Sequence, residues 1–146
     1  MPTGVVIVDT GPLVALFDPS DRDHEACSRE VARLEKRRLV TTLAVVTEAA
    51  YLLDFSPRAQ QAFLGFVRAG AVEVAEFDAA SVGRAAALMS KYNDLPMDFA
   101  DATLVVLAEA LATTTVFTLD RPDFGVYRLG RRKLDLLPRA GRTARR

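Results

Sequence analysis

Two aspartates, Asp98 and Asp101, head the otherwise apolar stretch LPMDFADATLVVLAEA over residues 95–110. Three residues apart, they share one face of a helix's first turn, about 60° from each other. Capping explains one of them, because carboxylates satisfy free N–H groups at a helix start and favour its positive end. It explains the pair less well. Asp9 and Asp120 are each the first charged residue after an apolar run that begins in VVIV and TTTVF. In an open parallel sheet both fall at the carboxyl edge of the strands, where ligands bind. Taken singly, each is also an ordinary aspartate in the turn after a strand. Glu48, in LAVVTEAAYLL, is the only charge between the basic run at 36–38 and Asp54. It suits either the exposed stripe of an amphipathic helix or a carboxylate turned into a cleft.

Gathered in one place, these acids raise one another's pKa, and each must also be desolvated. A divalent cation removes that cost, and an all-oxygen donor set suits Mg²⁺ or Mn²⁺. Zinc is poorly served, because Cys27 and His24 are the single cysteine and the single histidine. With one histidine, placed in the polar segment DRDHEA and expected at the surface, neither a covalent nor a two-histidine route is supported.

The elements that must carry the acids follow from periodicity. Val5–Val8 is an unalternated β-branched run, as in a strand buried on both faces. Gly11 and Pro12 break it, and residues 13–17 suit one short helical turn. Residues 21–38 read as an amphipathic helix with Ala26, Val31 and Leu34 inside. Residues 39–41 make a second strand, and Thr41 or Thr42 caps a helix over 43–54. Pro57 opens a helix over 57–69 that Gly70 closes, and 72–74 is a third strand. Asp78 or Ser81 caps a helix over 80–92, and the acid-headed helix runs from 98 to about 112. Residues 113–119 are a fourth strand, and 126–128 suit a short edge strand. Strands alternating with helices give an α/β fold: three layers, α/β/α, around a mostly parallel sheet of four to five strands.

The chain's 146 residues are enough for one domain, and half of them are hydrophobic. The lone cysteine rules out an internal disulfide and fits a reducing cytoplasm. The start, MPTGVVIVD, reads as a strand rather than a signal peptide, and no apolar run is long enough to span a bilayer. The zero net charge hides an asymmetry. Residues 1–127 hold 11 Lys and Arg against 18 Asp and Glu, whereas residues 128–146 hold 8 against 1. A basic end suits a solvated terminus or contact with nucleic acid or an acidic partner. Residues 1–138 are expected to form the domain and 139–146 a basic, disordered tail. Arg121, Arg128, Arg131, Arg132 and Lys133 follow the last acid and could hold a phosphate backbone, though solvated surface charge is the simpler account. Phe17, Tyr51, Phe124 and Tyr127 suit a core better than a base-stacking platform.

Together, VVIVDTGPLVALFD, the Glu48 helix, MDFADATLVVLAEA and VFTLDRPDF make the chain resemble the PIN-domain ribonucleases, specifically the VapC-type toxins of bacterial toxin–antitoxin pairs. The resemblance spans nearly the whole chain. It implies Mg²⁺-dependent endoribonuclease activity, with Mn²⁺ able to substitute. It places the acidic metal site on Asp9, Glu48, Asp101 and Asp120. Asp98 matches an extra acid of a subset of the family, so the catalytic set becomes Asp9, Glu48, Asp98, Asp101 and Asp120. Thr10 and Thr118 stand where the family often has hydroxyl residues. The resemblance further implies an RNA substrate, a cognate antitoxin, and assembly as a dimer or larger.

Two other readings stay open. Another Mg²⁺-dependent phosphoryl-transfer enzyme is one. An aspartyl phosphatase, however, wants an aspartate where Gly11 stands, and a receiver domain wants a lysine where Arg121 and Pro122 follow Asp120. A non-catalytic interaction module of the same fold is the other.

Overall fold

The computed structural model of the protein describes residues 4–139. In chain order the elements are β1 (Val5–Val8), α1 (Thr10–Phe17), α2 (His24–Arg33), β2 (Arg38–Thr41), α3 (Leu43–Leu52), α4 (Pro57–Arg68), β3 (Glu73–Val74), α5 (Ala79–Lys91), α6 (Phe99–Leu111), β4 (Thr115–Phe117), α7 (Arg121–Phe124), β5 (Arg128–Leu129), β6 (Arg132–Lys133) and β7 (Asp135–Leu137). Five strands form one sheet in the order β3-β2-β1-β4-β7. All its pairs are parallel, with Val6 opposite Leu39, Ile7 opposite Val116, and Val116 opposite Leu136. Helices cover both faces, in the expected three-layer α/β/α arrangement.

β1 shows why. Val6, Ile7 and Val8 point alternately to the two faces, yet all three are buried, so neither face meets water. α6 is equally enclosed: its residues from Ala102 through Ala108 are all buried. A helix that is apolar all round belongs inside, and α6 packs against α5, α3 and β1.

Three details depart from expectation. Gly11 and Pro12 do not precede a helix; they lie within α1, which begins at Thr10. Proline is tolerated there because first-turn N–H groups have no helical partner to lose. The edge strand expected at 126–128 is instead β5, paired antiparallel with β6 in a separate ribbon. The strand that completes the sheet is β7, inside the basic C-terminal stretch, where Leu136 and Leu137 are buried. Of the expected tail at 139–146, only Arg139 is described; it forms an ion pair with Asp135 at 2.9 Å. Residues 140–146 lie outside the described residues.

Among the described residues, no helix is long and apolar enough to cross a membrane.

Candidate active site

Three of the five acids are helix N-caps. Asp9 ends β1 and caps α1, its Oδ1 accepting the Thr10 N–H at 2.7 Å. Asp98 caps α6, accepting the Asp101 N–H at 2.8 Å. Asp120 follows β4 and caps α7, accepting the Asp123 N–H at 3.2 Å. Because β1 and β4 are parallel neighbours, Asp9 and Asp120 emerge at the same edge of the sheet. The carboxylates at 98 and 101 are therefore divided in labour: Asp98 closes the helix start, and Asp101, within its first turn, caps nothing.

The structure brings Asp9, Glu48, Asp98, Asp101 and Asp120 to one open cleft of about 380 Å³, together with Thr10, Asp21 and Asp123. Glu48 reaches it from α3, where the Thr10 hydroxyl donates to its Oε1 at 2.7 Å. Thr118 Oγ1 donates to Asp9 Oδ2 at 2.6 Å and accepts the Asp120 N–H at 2.9 Å. Tyr127 donates its hydroxyl to Asp101 Oδ2 at 3.0 Å. Asp101, Asp120 and Asp123 make the tightest group, each with a carboxylate oxygen within 4.8 Å of the others'. Asp9 and Glu48 line the same cleft without belonging to that trio.

Burial and mutual repulsion act on these groups as the physics requires. Burial pushes the Asp9 carboxyl up to about 6 against the lowering bonds from Thr118 and Thr10, and the charges of Glu48 and Asp120 add to the rise. Burial, then Asp98 and Asp9, push Asp101 up to about 8, although the Tyr127 bond favours its charged form. Asp123 is raised by burial and by Asp120. Acids held in this way bind protons more tightly than free carboxylates do, and a cation of high charge density relieves them.

The donor chemistry fits a hard divalent ion. Among the described residues, Asp101 Oδ1, Asp120 Oδ2, Asp98 Oδ2 and Glu48 Oε2 carry no internal hydrogen bond, so these four acids each keep an oxygen to offer, whereas both oxygens of Asp9 accept one hydrogen bond and hold a second lone pair in reserve. No nitrogen or sulfur donor lines the cleft. Cys27 is buried elsewhere. His24 is half-buried rather than a free surface residue, its Nδ1 lying 2.8 Å from the Ala15 carbonyl and so tying α2 to α1.

Sequence reasoning missed Asp123 and Tyr127. The spacing of Asp120 and Asp123 repeats that of Asp98 and Asp101, and that repetition was the available signal for Asp123. The basic residues stand apart from the acids. Arg121 donates to the Pro138 carbonyl at 2.8 Å, and Arg128 donates to the carbonyls of Gly125, Val126 and Tyr127. Arg131 and Arg132 are exposed on the β5–β6 ribbon. Arg121, Lys133 and Arg139 line a separate cavity of about 400 Å³. Of the aromatics, Phe124 and Tyr127 are fully buried, Phe17 is half-buried and Tyr51 is exposed.

Comparison with known proteins places this geometry. The PIN domain model matches residues 6–126, a span that holds the acids of the cleft and Thr118. Ribonuclease VapC26 of Mycobacterium tuberculosis is 37% identical over 136 residues, covering 91% of this chain and all of that protein. Among solved structures, the M. tuberculosis sarcin–ricin loop cleaving toxin VapC20 superposes with a TM-score of 0.73 at 21% identity, over 80% of this chain and 90% of that one. VapBC2 from Rickettsia felis, bound to a DNA fragment from its promoter, gives a TM-score of 0.58 at 15% identity, over 81% of this chain and 89% of that one. By sequence and by fold, the chain belongs to the PIN domain family.

Proposed function

We propose that the protein is a divalent-metal-dependent endoribonuclease that hydrolyses RNA phosphodiester bonds and acts as the toxin of a VapBC-type toxin–antitoxin pair. The observation that carries the reading is the convergence of Asp9, Glu48, Asp98, Asp101 and Asp120, from four separate stretches of chain, on one cleft. Mg²⁺ is the proposed ion, with Mn²⁺ as a substitute, held by Asp9, Asp101 and Asp120 with Glu48, and with Asp123 as an added donor. Bound there, the ion supplies positive charge against the phosphate and lowers the pKa of water.

The protein's own groups do the rest. Thr118 and the Thr10 N–H fix both oxygens of Asp9. Glu48, steadied through Oε1 by Thr10, has Oε2 free to orient the attacking water and take its proton. Asp98 stands at the cleft mouth as a second candidate for that task. Repulsion between the acids and RNA is offset by the basic residues around α7 and the β5–β6 ribbon, so Arg121, Arg128, Arg131 and Arg132 are the proposed backbone contacts. The domain is assigned to residues 1–138. A cognate antitoxin, a cytoplasmic location and a homodimer or larger assembly complete the reading.

The test is incubation of the full chain with RNA and Mg²⁺. Discrete cleavage products are expected, lost on chelation and reduced at least ~100-fold in Asp9→Asn, where the amide keeps the cap but not the charge. Undiminished cleavage by that variant would overturn the metal assignment. Expression of the chain alone should arrest bacterial growth; harmless expression at high level would favour a non-catalytic interaction module.

A further inference from the structure

We infer that Tyr127 is a positioning residue that holds Asp101 in the geometry needed to take a divalent cation. The inference rests on the reading of the acid cleft as a cation site, and it concerns a residue that contributes no charge to it.

Tyr127 is fully buried, and its hydroxyl donates to Asp101 Oδ2 at 3.0 Å. Its ring has no room to swing. Tyr92 packs against it edge to face with centroids 5.1 Å apart, and Phe124 does the same at 5.0 Å. The Arg128 N–H, one residue on, donates to the Tyr92 hydroxyl at 3.1 Å, so the backbone beyond the ring is pinned as well. The cluster joins α7, which carries Asp123 and is capped by Asp120, to Tyr92 at the C-terminal end of α5 and to Asp101 on α6. Its link to the cleft is the bond from the Tyr127 hydroxyl to Asp101, which lines it.

The chemistry of that donor matters. A lysine or arginine at this place would neutralise Asp101 and compete with a cation. A phenol hydroxyl donates one hydrogen bond and adds no charge, and with an ordinary pKa of about 10 a phenol is a donor at neutral pH. The bond occupies Oδ2 and leaves Oδ1 to the cleft. A carboxylate already fixed in rotation binds without ordering cost, which is how outer hydrogen bonds strengthen a metal site. The simpler account is that Asp101 only satisfies a buried phenol that would otherwise lack a partner. The two accounts differ in what the hydroxyl does for ion binding.

Tyr127→Phe keeps the ring packing and deletes the bond. Mn²⁺ titration of the full chain without RNA, followed by calorimetry, should show about 5- to 20-fold weaker binding at unchanged stoichiometry. Tyr92→Phe makes the same deletion one ring away, beside the Arg128 N–H. It should lower the Tm of the metal-free protein and leave Mn²⁺ affinity within about twofold. In an Asp101→Asn background the Tyr127→Phe change should cost no further affinity, because its effect passes through that carboxylate. Wild-type Mn²⁺ affinity in Tyr127→Phe, or an equal loss in the Asp101→Asn background, would overturn the inference while leaving the cation site intact. Failure of the unmodified protein to bind Mn²⁺ at all would remove both.

Discussion

Thr118 stands between two acids of the cleft and serves both. Its hydroxyl proton goes to Asp9 at 2.6 Å, and its oxygen accepts the Asp120 N–H at 2.9 Å. Thr118 is fully buried, and its bond to Asp9 forms away from water. One small side chain therefore fixes the rotation of a carboxylate on β1 and the backbone of another after β4.

Replacing Thr118 by Val removes both bonds with little change in shape. The half-buried Asp120 N–H then loses its acceptor, which costs up to about 1–3 kcal/mol of stability. Asp9 also loses the donor that steadies Oδ2, and metal-dependent cleavage should fall about 10- to 100-fold. Thermal unfolding and a cleavage assay at saturating Mg²⁺ check the two effects separately. Wild-type activity in this variant would show that Asp9 needs no such tie.

The raised pKa of Asp101 predicts how the metal-free protein responds to pH. Burial and the neighbouring charges of Asp98 and Asp9 push its carboxyl up to about 8 in the fold, far above the ordinary value of about 4, so the folded state holds the proton more tightly. The resulting stability is full below the unfolded value and is lost as pH rises from about 4 through 8. Asp101→Asn is neutral throughout and keeps an oxygen for the Tyr127 bond. At pH 8 without metal it should melt roughly 3–8 °C higher than the unmodified chain, after discounting for partial exposure, with the gap closing toward pH 4. An equal or lower Tm at pH 8 would mean that the repulsion is relieved in some other way.

Divalent ions should act in the opposite sense. Mn²⁺ at about 100 times its Kd adds roughly 2.7 kcal/mol to the stability of the folded form. Binding must displace protons from Asp9 and Asp101, so the apparent affinity should tighten between pH 6 and 8. Differential scanning calorimetry with and without Mn²⁺ at the two pH values measures both. A Tm that ignores the ion at either pH would contradict the fit of the donor set.

Glu109 supplies a control on the same helix. It lies two turns beyond the acids and pairs with Arg84 of α5 at 2.7 Å, away from the cleft. Glu109→Gln should cost at most about 1 kcal/mol and leave cleavage unaltered. A large loss of activity would place the functional face of α6 elsewhere.

Local signals made much of this fold legible in the sequence. Unalternated β-branched runs marked the buried strands, and Thr42, Ser56 and Asp78 cap helices where short polar residues precede apolar periodicity. The acids at 9, 98, 101 and 120 stood out because each interrupts an apolar run. What was hidden depended on distance along the chain. Strand β7 is three residues long, begins on a charged residue and runs into Pro138, so only its pairing with β4 identifies it. Tyr127 looked like core, and it is core; its meeting with Asp101 spans 26 positions that no local pattern connects. Asp123 lies in a stretch to which periodicity assigns no element, because α7 is a single turn, too short for a 3.6-residue pattern to show.

The parallel pairing of β7 with β4 bears on the order in which the sheet is completed during synthesis. A ribosome releases the chain from its N-terminus, so Asp9 and Glu48 emerge long before Asp120 and the strand that closes the sheet edge. Until Leu137 has emerged, β4 has only β1 beside it, and Arg121 lacks the carbonyl of Pro138 that anchors it. A chain that stops short of β7 therefore keeps every acid of the cleft while leaving that edge of β4 unpaired.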